Sequence, residues 1–524
     1  MMNKTIRGRL RLPVATALAA ALALSLAACN EEPNKPAAAT GGAESPGQNT
    51  DREVVIASYA GWTSLDPAIG GGIRDLSLLR SLYSALTQTD NQGRLQPDAA
   101  TSWERTEDNV WRFALRQGLV FPNGEKLDAA NVVWNLNRQL HDTPKPGNWI
   151  SASISNITDI QADGDYAVLV STEEPDLLLP QRLSGIYLVS KEFAASHDLN
   201  TEALGTGPYD LVSFAPDSEV TLKAKPEYYA GAAAFQNVRF VVTPDVANKI
   251  NALKTGEVDL ANIIDPADFE GLEQAGLVTG SVPSARIYLL TVNTNIKPLD
   301  DVRVRQAISL AIDRESIIES LLSGLVDPAL NQNISAVYDA YNDELGFPEY
   351  DPAKAKDLLK QAGVDDGFEV EIISSQGGSI ANEQIIQVIG QQLGEIGITA
   401  KVSTPPSSVL MERLTSGETA AGLTHIGFID TAIVAGETLR YIGGTHSQSW
   451  TDVAPGYDEA VAAARSANTE EEKVQSIKDA TQAALDNQQT IYLWPIAATY
   501  AHAKDLKWQA RPDDYILPYE IKAL

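Results

Sequence analysis

Five histidines, one cysteine and many carboxylates are the groups in this chain with the most obvious chemistry. His141, His197, His425, His446 and His502 are scattered, with none of the short spacings that bring two imidazoles to one metal. The patterns G-x-S-x-G, H-E-x-x-H and G-x-x-x-x-G-K-S/T are missing, so the chain carries no serine-hydrolase elbow, zinc-protease helix or P-loop. Carboxylates are too numerous to single out an acid–base pair, and a secreted hydrolase working with two of them stays open as the enzyme reading. The other pattern is that of a binding site, which is mainly apolar and aromatic with a few polar groups to fix orientation. Residues of those kinds stand at the ends of strand-like runs. Tyr59 and Trp62 follow the first run, Thr206 sits in a glycine-rich turn and Thr291 lies near the end of a later run. His425, Phe428 and Asp430 close the run 423–428, and Trp494 lies in the last one. For each aromatic, ordinary core packing is the alternative. No cofactor and no metal is implied.

The elements that would carry these residues show in the hydrophobic periodicity. Residues 54–57 read as a strand, and Ser64-Leu65-Asp66-Pro67 as a turn after it. Residues 111–116 alternate like a half-buried strand between turn signals at Glu107-Asp108-Asn109 and Pro122-Asn123-Gly124. Residues 129–140 have helical spacing, with Val132, Val133, Leu136 and Leu140 on one face. Strands are expected at 154–160, 166–171 and 209–214, the last led in by Gly205-Thr206-Gly207-Pro208-Tyr209. A helix over 246–257 with Gly256 as its cap precedes a strand to 263, and a strand over 286–293 follows. One long helix is expected from a cap at Asp300 or Asp301 to Gly324. Beyond it come a helix capped at Asp351, a βαβ pattern over 368–403, a helix–strand unit over 410–428, two further helices and a strand over 490–497. Strands alternating with helices of ordinary length make the class α/β.

The block 82–131 carries a more specific signal. Leu82-Tyr83, Leu86, Gly93, Pro97, Ala100, Ser102-Trp103, Phe113, Leu115-Arg116, Gly118, Phe121, Gly124 and Ala129-Ala130-Asn131 stand in order. This series, with Ser64-Leu65-Asp66-Pro67, the G-T-G-P-Y turn and the run Val302-Arg303 to Asp313-Arg314, resembles the extracytoplasmic solute-binding proteins of family 5. That family serves ABC importers of peptides, dipeptides and nickel chelates, and the resemblance covers residues 53–524. Asn131 stands where the family usually has Asp.

The resemblance implies a two-lobed periplasmic-binding-protein type II fold with an extra inserted subdomain and a ligand enclosed between the lobes. Carried onto this chain, lobe I is 53–90, 199–291 and 497–524; the insertion is 91–198; lobe II is 292–496. The liners are then Tyr59, Trp62, Thr206, Thr291, His425, Phe428, Asp430 and Trp494. In peptide-binding members an Asp near Asp430 meets the ligand's α-amino group, and His425 falls where some place an Arg near its carboxylate. A His there is a weaker, pH-dependent partner. The family's D-Y-x-D-P continuation is replaced here by Thr431-Ala432-Ile433. The implied function is capture of a di- or oligopeptide and delivery to a membrane permease, without catalysis. A metal chelate, a sugar oligomer or an opine is the alternative solute.

Composition sets outer bounds. With 44% hydrophobic and 21% charged residues the chain is globular, and its net charge of −29 opposes broad binding to nucleic acid or anionic lipid. Residues 1–28 form a targeting segment: Lys4, Arg7, Arg9 and Arg11 precede an apolar run too short to span a bilayer comfortably. It ends Leu26-Ala27-Ala28-Cys29, which resembles the lipobox of bacterial lipoproteins, so Cys29 is the expected lipidation site and membrane anchor. Residues 29–52, rich in Ala, Gly, Pro and Glu, read as a flexible tether. A monomer outside the cytoplasm is expected, with permease subunits as its protein partners.

Overall fold

Ten runs of extended chain assemble into one sheet in the computed structural model. In chain order they are β1 (Thr50–Ser58), β2 (Tyr209–Ala215), β3 (Glu219–Ala224), β4 (Phe235–Val242), β5 (Leu260–Asn262), β6 (Leu277–Val292), β7 (Phe368–Ile373), β8 (Ile398–Ser403), β9 (Leu423–Phe428) and β10 (Thr490–Ala503). Their spatial order is β2-β3-β4-β1-β5-β10-β6-β9-β7-β8. The structure describes residues 50–524 except 70–72, 143–150, 152, 333, 337, 339, 377–379, 407–408, 411–412, 414–420, 429–453 and 489. Cys29, the targeting segment, Asp430 and most of the helix expected after residue 410 lie outside the described residues.

β1 shows why some strands read as continuous apolar runs. It pairs in parallel with both β4 and β5, and Val54, Val55, Ile56 and Ala57 are all buried. A strand covered on both faces has no solvent side to alternate toward. It starts at Thr50, within the stretch read as tether.

β6 and β10 tie the two halves of the sheet together. They are 16 and 14 residues long and pair antiparallel from Leu277↔Ala503 to Thr291↔Thr490. At one end β10 also pairs with β5, at Tyr500–His502; at the other, β6 pairs with β9 from Ile287 to Val292. Both strands are much longer than the runs expected over 286–293 and 490–497. Their register shifts between Pro283 and Ile287 and again between Tyr288 and Leu289. Irregular pairing of this kind bends a strand and re-aims its side chains.

Three large apolar cores flank this frame. One lies under β1–β4, with Ile56, Tyr83, Tyr209 and Phe235. A second lies under β6–β9, with Leu290, Ile308, Ile372, Ile389 and Trp494. The third belongs to a separate four-stranded sheet, Ala100–Glu107, Val110–Leu115, Ala167–Thr172 and Ile157–Ala162, packed on the helix Ala129–His141. Each fully buried Leu, Ile or Phe in these cores contributes roughly 1.5–3 kcal/mol.

The helix Ala129–His141 starts where Asp128 accepts from the Asn131 backbone N–H at 3.1 Å. Asn131 explains its own departure from the family pattern: its side-chain amide donates to Glu125 Oε1 at 3.0 Å and to the Val189 carbonyl at 3.3 Å, and a carboxylate could donate to neither.

The long helix expected from residue 301 is two helices, Val302–Leu310 and Arg314–Leu321. The break has a cap beside it and an anchor far away in sequence. Asp313 caps the second helix by accepting from Ser316 N, and buried Arg314 takes the Ser309 and Ile312 carbonyls and the Tyr492 carbonyl of β10. Those side-chain bonds satisfy carbonyls that a continuous helix would have satisfied internally.

Candidate ligand-binding cleft

A cavity with an empty volume of about 820 Å³, part of it open to solvent, lies over the β6–β10 pair. β6 contributes Arg286 and Tyr288, and β10 contributes Trp494 and the stretch from Ile496 to Tyr500. Tyr59 lines it from the end of β1, and Asn262 and Ile263 from the end of β5. Trp508, Asp514, Tyr515 and Ile516 come from the C-terminal segment, and Leu322 and Ile380 from elements on the β6–β9 side.

Alternation on β6 sets the polar end of this cavity. Ser284, Arg286 and Tyr288 are spaced by two, so they share a face of the strand. Ser284 Oγ donates to the Pro512 carbonyl at 3.1 Å, lies 3.1 Å from Asp514 Oδ2, and accepts from Arg286 N at 3.0 Å. Arg286 Nε stands 2.8 Å from Asp514 Oδ2, with side chains 23% and 9% exposed. This is an ion pair without hydrogen-bond alignment, because Arg286 Nε and Asp514 Oδ1 both lack a hydrogen-bond partner among the described residues. Burial works against the Arg286 charge, but Asp514, with the Tyr288 and Tyr59 phenols, outweighs it and raises the guanidinium above its ordinary value. Burial also raises the Asp514 carboxyl, and Arg286 and Ser284 offset that in part.

The backbone under this site is held in uncommon conformations. Asp514 has φ +61° and Ile263 φ +55°, both left-handed and neither a glycine. Such geometry persists where the surroundings over-determine it. Buried Arg511 does this for the C-terminal segment, pairing with Asp513 and with Glu520, each at 2.6 Å, while Asp513 accepts from Tyr515 N. Lys249 does it for Ile263: its Nζ donates to the Asn262 and Ile263 carbonyls at 3.1 and 3.4 Å, and burial pushes its pKa down to about 8.

Of the residues chosen from sequence, Tyr59 and Trp494 line the cavity. His425 stands one layer behind it, its ring stacked on Tyr288 with centroids 4.6 Å apart. Its Nδ1 is 3.1 Å from Ser374 Oγ, and burial drives its pKa down to about 3. Burial disfavours the cationic form of His425 that would attract an anion, and its ring packs on Tyr288 and is not part of the cavity lining. Trp62 is also not in the cavity: it is buried in the β1–β4 core, edge-on to Phe240 at 6.1 Å. Thr206 is buried in its turn. The flanking glycines are there for close backbone approach, since a Cβ at Gly205 or Gly207 would meet the Leu82 backbone at 2.2 or 2.5 Å. Thr291 sits between Thr424 and Thr490 in the sheet, away from the cavity lining. Phe428 pairs with Ile287 at the end of β9, and Asp430 lies outside the described residues.

Sequence reasoning missed Arg286, Tyr288, Tyr500, Trp508 and Asp514. Two signals were available: the Ser284-x-Arg286-x-Tyr288 alternation just after a proline, and the charged turn Arg511-Pro512-Asp513-Asp514 near the C-terminus.

Comparison with known proteins accounts for this architecture. The model of the bacterial extracellular solute-binding proteins, family 5 (middle region), matches residues 94–432. The chain belongs to this family. It is therefore a binding protein of transport outside the cytoplasm and not an enzyme. It is similar to the probable di/tripeptide-binding protein 5 of Pseudomonas aeruginosa, 29% identical over 369 residues that make up 64% of this chain and 69% of that protein. Its fold matches the periplasmic binding protein DppA of Helicobacter pylori, solved with the peptide STSA, at a TM-score of 0.80 and 22% identity over 90% of this chain and 98% of that one. It also matches AgaA of A. tumefaciens R10, solved with agropinic acid, at a TM-score of 0.79 and 23% identity over 90% of this chain and 99% of that one. The fold is thus the type II periplasmic-binding-protein fold expected from sequence. Among the described residues, no helix is long and apolar enough to cross a membrane.

Proposed function

We propose that this chain is the substrate-binding lipoprotein of an ABC importer for small peptides. It takes its ligand in the cavity over β6 and β10, closes the two halves of the sheet on it, and presents it to the permease. The observation that carries this reading is the make-up of the cavity. Its walls are largely aromatic and apolar, from Tyr59, Tyr288, Trp494, Tyr500 and Trp508, and its charged side chains are Arg286, Arg511 and Asp514. Such a lining buries side chains of varied shape and reserves specific recognition for the charged groups of the solute.

The cavity rests on the only two strands that belong to both halves of the described sheet. Two adjacent crossings permit a hinge, and closure around the ligand is the motion that follows. Asp430 of the loop after β9 remains the candidate partner of the ligand's α-amino group. The relatives named for di- and tripeptides support the peptide class, and Cys29 after an apolar leader supports the lipid anchor.

The test is mass spectrometry of the protein purified gently from its host, first native and then denatured. Release of a family of peptides supports the reading, and release of a single non-peptide species rejects it. A Cys29→Ser chain should move from the membrane fraction to the soluble fraction.

A further inference from the structure

The separate four-stranded subdomain is fastened to one half of the molecule and touches the other. Its helix Ala129–His141 is tied to the β1–β4 half, where Arg138 pairs at 2.5 Å with buried Asp66, just after β1. The helices Tyr457–Ser466 and Glu470–Asp486 belong to the β6–β9 half. They share one apolar core, and Arg305 of the helix Val302–Leu310 donates to the Asn487 carbonyl at 2.6 Å. Between these two bodies Leu177 N donates to the Arg465 carbonyl at 3.0 Å, and Arg105 Nη1 to the Ala467 carbonyl at 3.4 Å.

Both acceptors lie at the C-terminal end of the helix Tyr457–Ser466, where the last carbonyls have no partner within a helix. No glycine turns the chain back there, and Ala467 is extended, with φ −56° and ψ 147°. Ser466 Oγ covers the Ala462 and Ala463 carbonyls from within the helix, at 3.0 and 3.4 Å. The Arg465 carbonyl is covered from the other body.

The donor is held in place on both sides. The Asp176 carbonyl accepts from Trp111 Nε1 at 2.8 Å. The Asp176 carboxylate accepts from Leu178 N at 3.0 Å and from Asn156 Nδ2 at 2.6 Å, and pairs with Arg182. Asp176 and Arg182 are both buried, and separating them would leave an unpaired charge inside the subdomain, so the loop keeps one shape. A donor fixed in this way loses little freedom when it meets its acceptor.

We infer that the loop around Leu177 is a latch between the two halves, which holds the closed form by capping the helix Tyr457–Ser466. This rests on the hinged closure of the proposed function and adds to it. None of Arg105, Leu177, Arg465 and Ala467 lines the cavity. The latch therefore raises the population of the closed form for every solute alike and leaves selectivity to the cavity walls.

Small-angle X-ray scattering reads the open-to-closed ratio, on the full mature protein freed of solute by unfolding and refolding. The variants are Leu177→Pro, which removes the N–H, and Arg105→Ala. Arg112→Ala is the control, because Arg112 bonds Asp163 within the subdomain, at 2.7 Å. A neutral hydrogen bond contributes a factor of about two to ten. Each variant should raise the open-to-closed ratio by about that factor, Arg105→Ala at the lower end, and Arg112→Ala should leave it unchanged. A tryptic digest of casein, a source of small peptides, should return both variants to the compact form. Circular dichroism checks folding, and Arg105→Ala, on an edge strand of the small sheet, carries the test if proline at 177 prevents folding. Variants that scatter like the original chain, with the digest compacting all of them, overturn the latch and leave hinged capture standing. An expansion that the digest does not reverse, or one shared by Arg112→Ala, also overturns the latch. Scattering that is the same for every chain, with and without the digest, overturns both.

Discussion

His425 should make this protein lose stability as the pH falls from 7 to 5. The ring is 1% exposed, its Nε2 has no hydrogen-bond partner among the described residues, and burial lowers its pKa to about 3. In the unfolded chain an imidazole titrates near 6.5. Between about pH 3 and 6.5 the unfolded state therefore binds more protons than the folded state, and stability rises with pH across that window. The stability present at pH 7 begins to be lost below about 6.5 and continues to fall toward pH 3. At pH 5 the difference spans about 1.5 pH units, which corresponds to about 2 kcal/mol. The assay is urea unfolding of the original chain and of His425→Gln, each at pH 7 and pH 5. Other titrating groups are common to both proteins and cancel. Among them is Asp98, whose carboxyl is raised to about 6 by burial and acts in the opposite direction. The original chain should lose about 2 kcal/mol more than the variant over this step. An equal loss in both would show that His425 carries a proton in the folded state, and would return it to the role of a cationic ligand partner.

Two further outcomes separate packing from binding. Gly207→Ala should destabilise by about 1–3 kcal/mol or more, because its Cβ would fall 2.5 Å from the Leu82 carbonyl carbon and 2.6 Å from Tyr83 N, both backbone atoms; thermal unfolding measures it. Trp62→Ala should cost about 3–5 kcal/mol by emptying a core position while leaving the ligand affinity of the folded fraction unchanged, which calorimetry and denaturant unfolding check together.

The type of each main element was legible because it depends on local pattern. The buried β1 run, the amphipathic helix Ala129–His141 with its Asp128 cap, and the helix capped at Asp351 all stand where periodicity and capping residues place them. The family motifs were legible for a related reason: Gly205 and Gly207 are demanded by a backbone contact that permits no other residue. The break between Val302–Leu310 and Arg314–Leu321 was not legible. A buried arginine reaching the Tyr492 carbonyl of β10 decides it, and that partner is far away in sequence.

The candidate site divides the same way. Composition made the chain acidic, periodicity made it α/β with aromatic residues at its strand ends, and the motifs of the 82–131 block carried the resemblance to family 5. Which aromatics face the ligand is a tertiary matter. Trp62 and Trp494 look alike in sequence and both are buried in a core, yet only Trp494 also borders the cavity, because it stands on β10 beneath it. Arg286 and Asp514 are 228 residues apart, a separation shown by their positions in the chain. They become one charged pair only when Ser284 binds the C-terminal turn to β6, and no local pattern encodes a contact made over that distance.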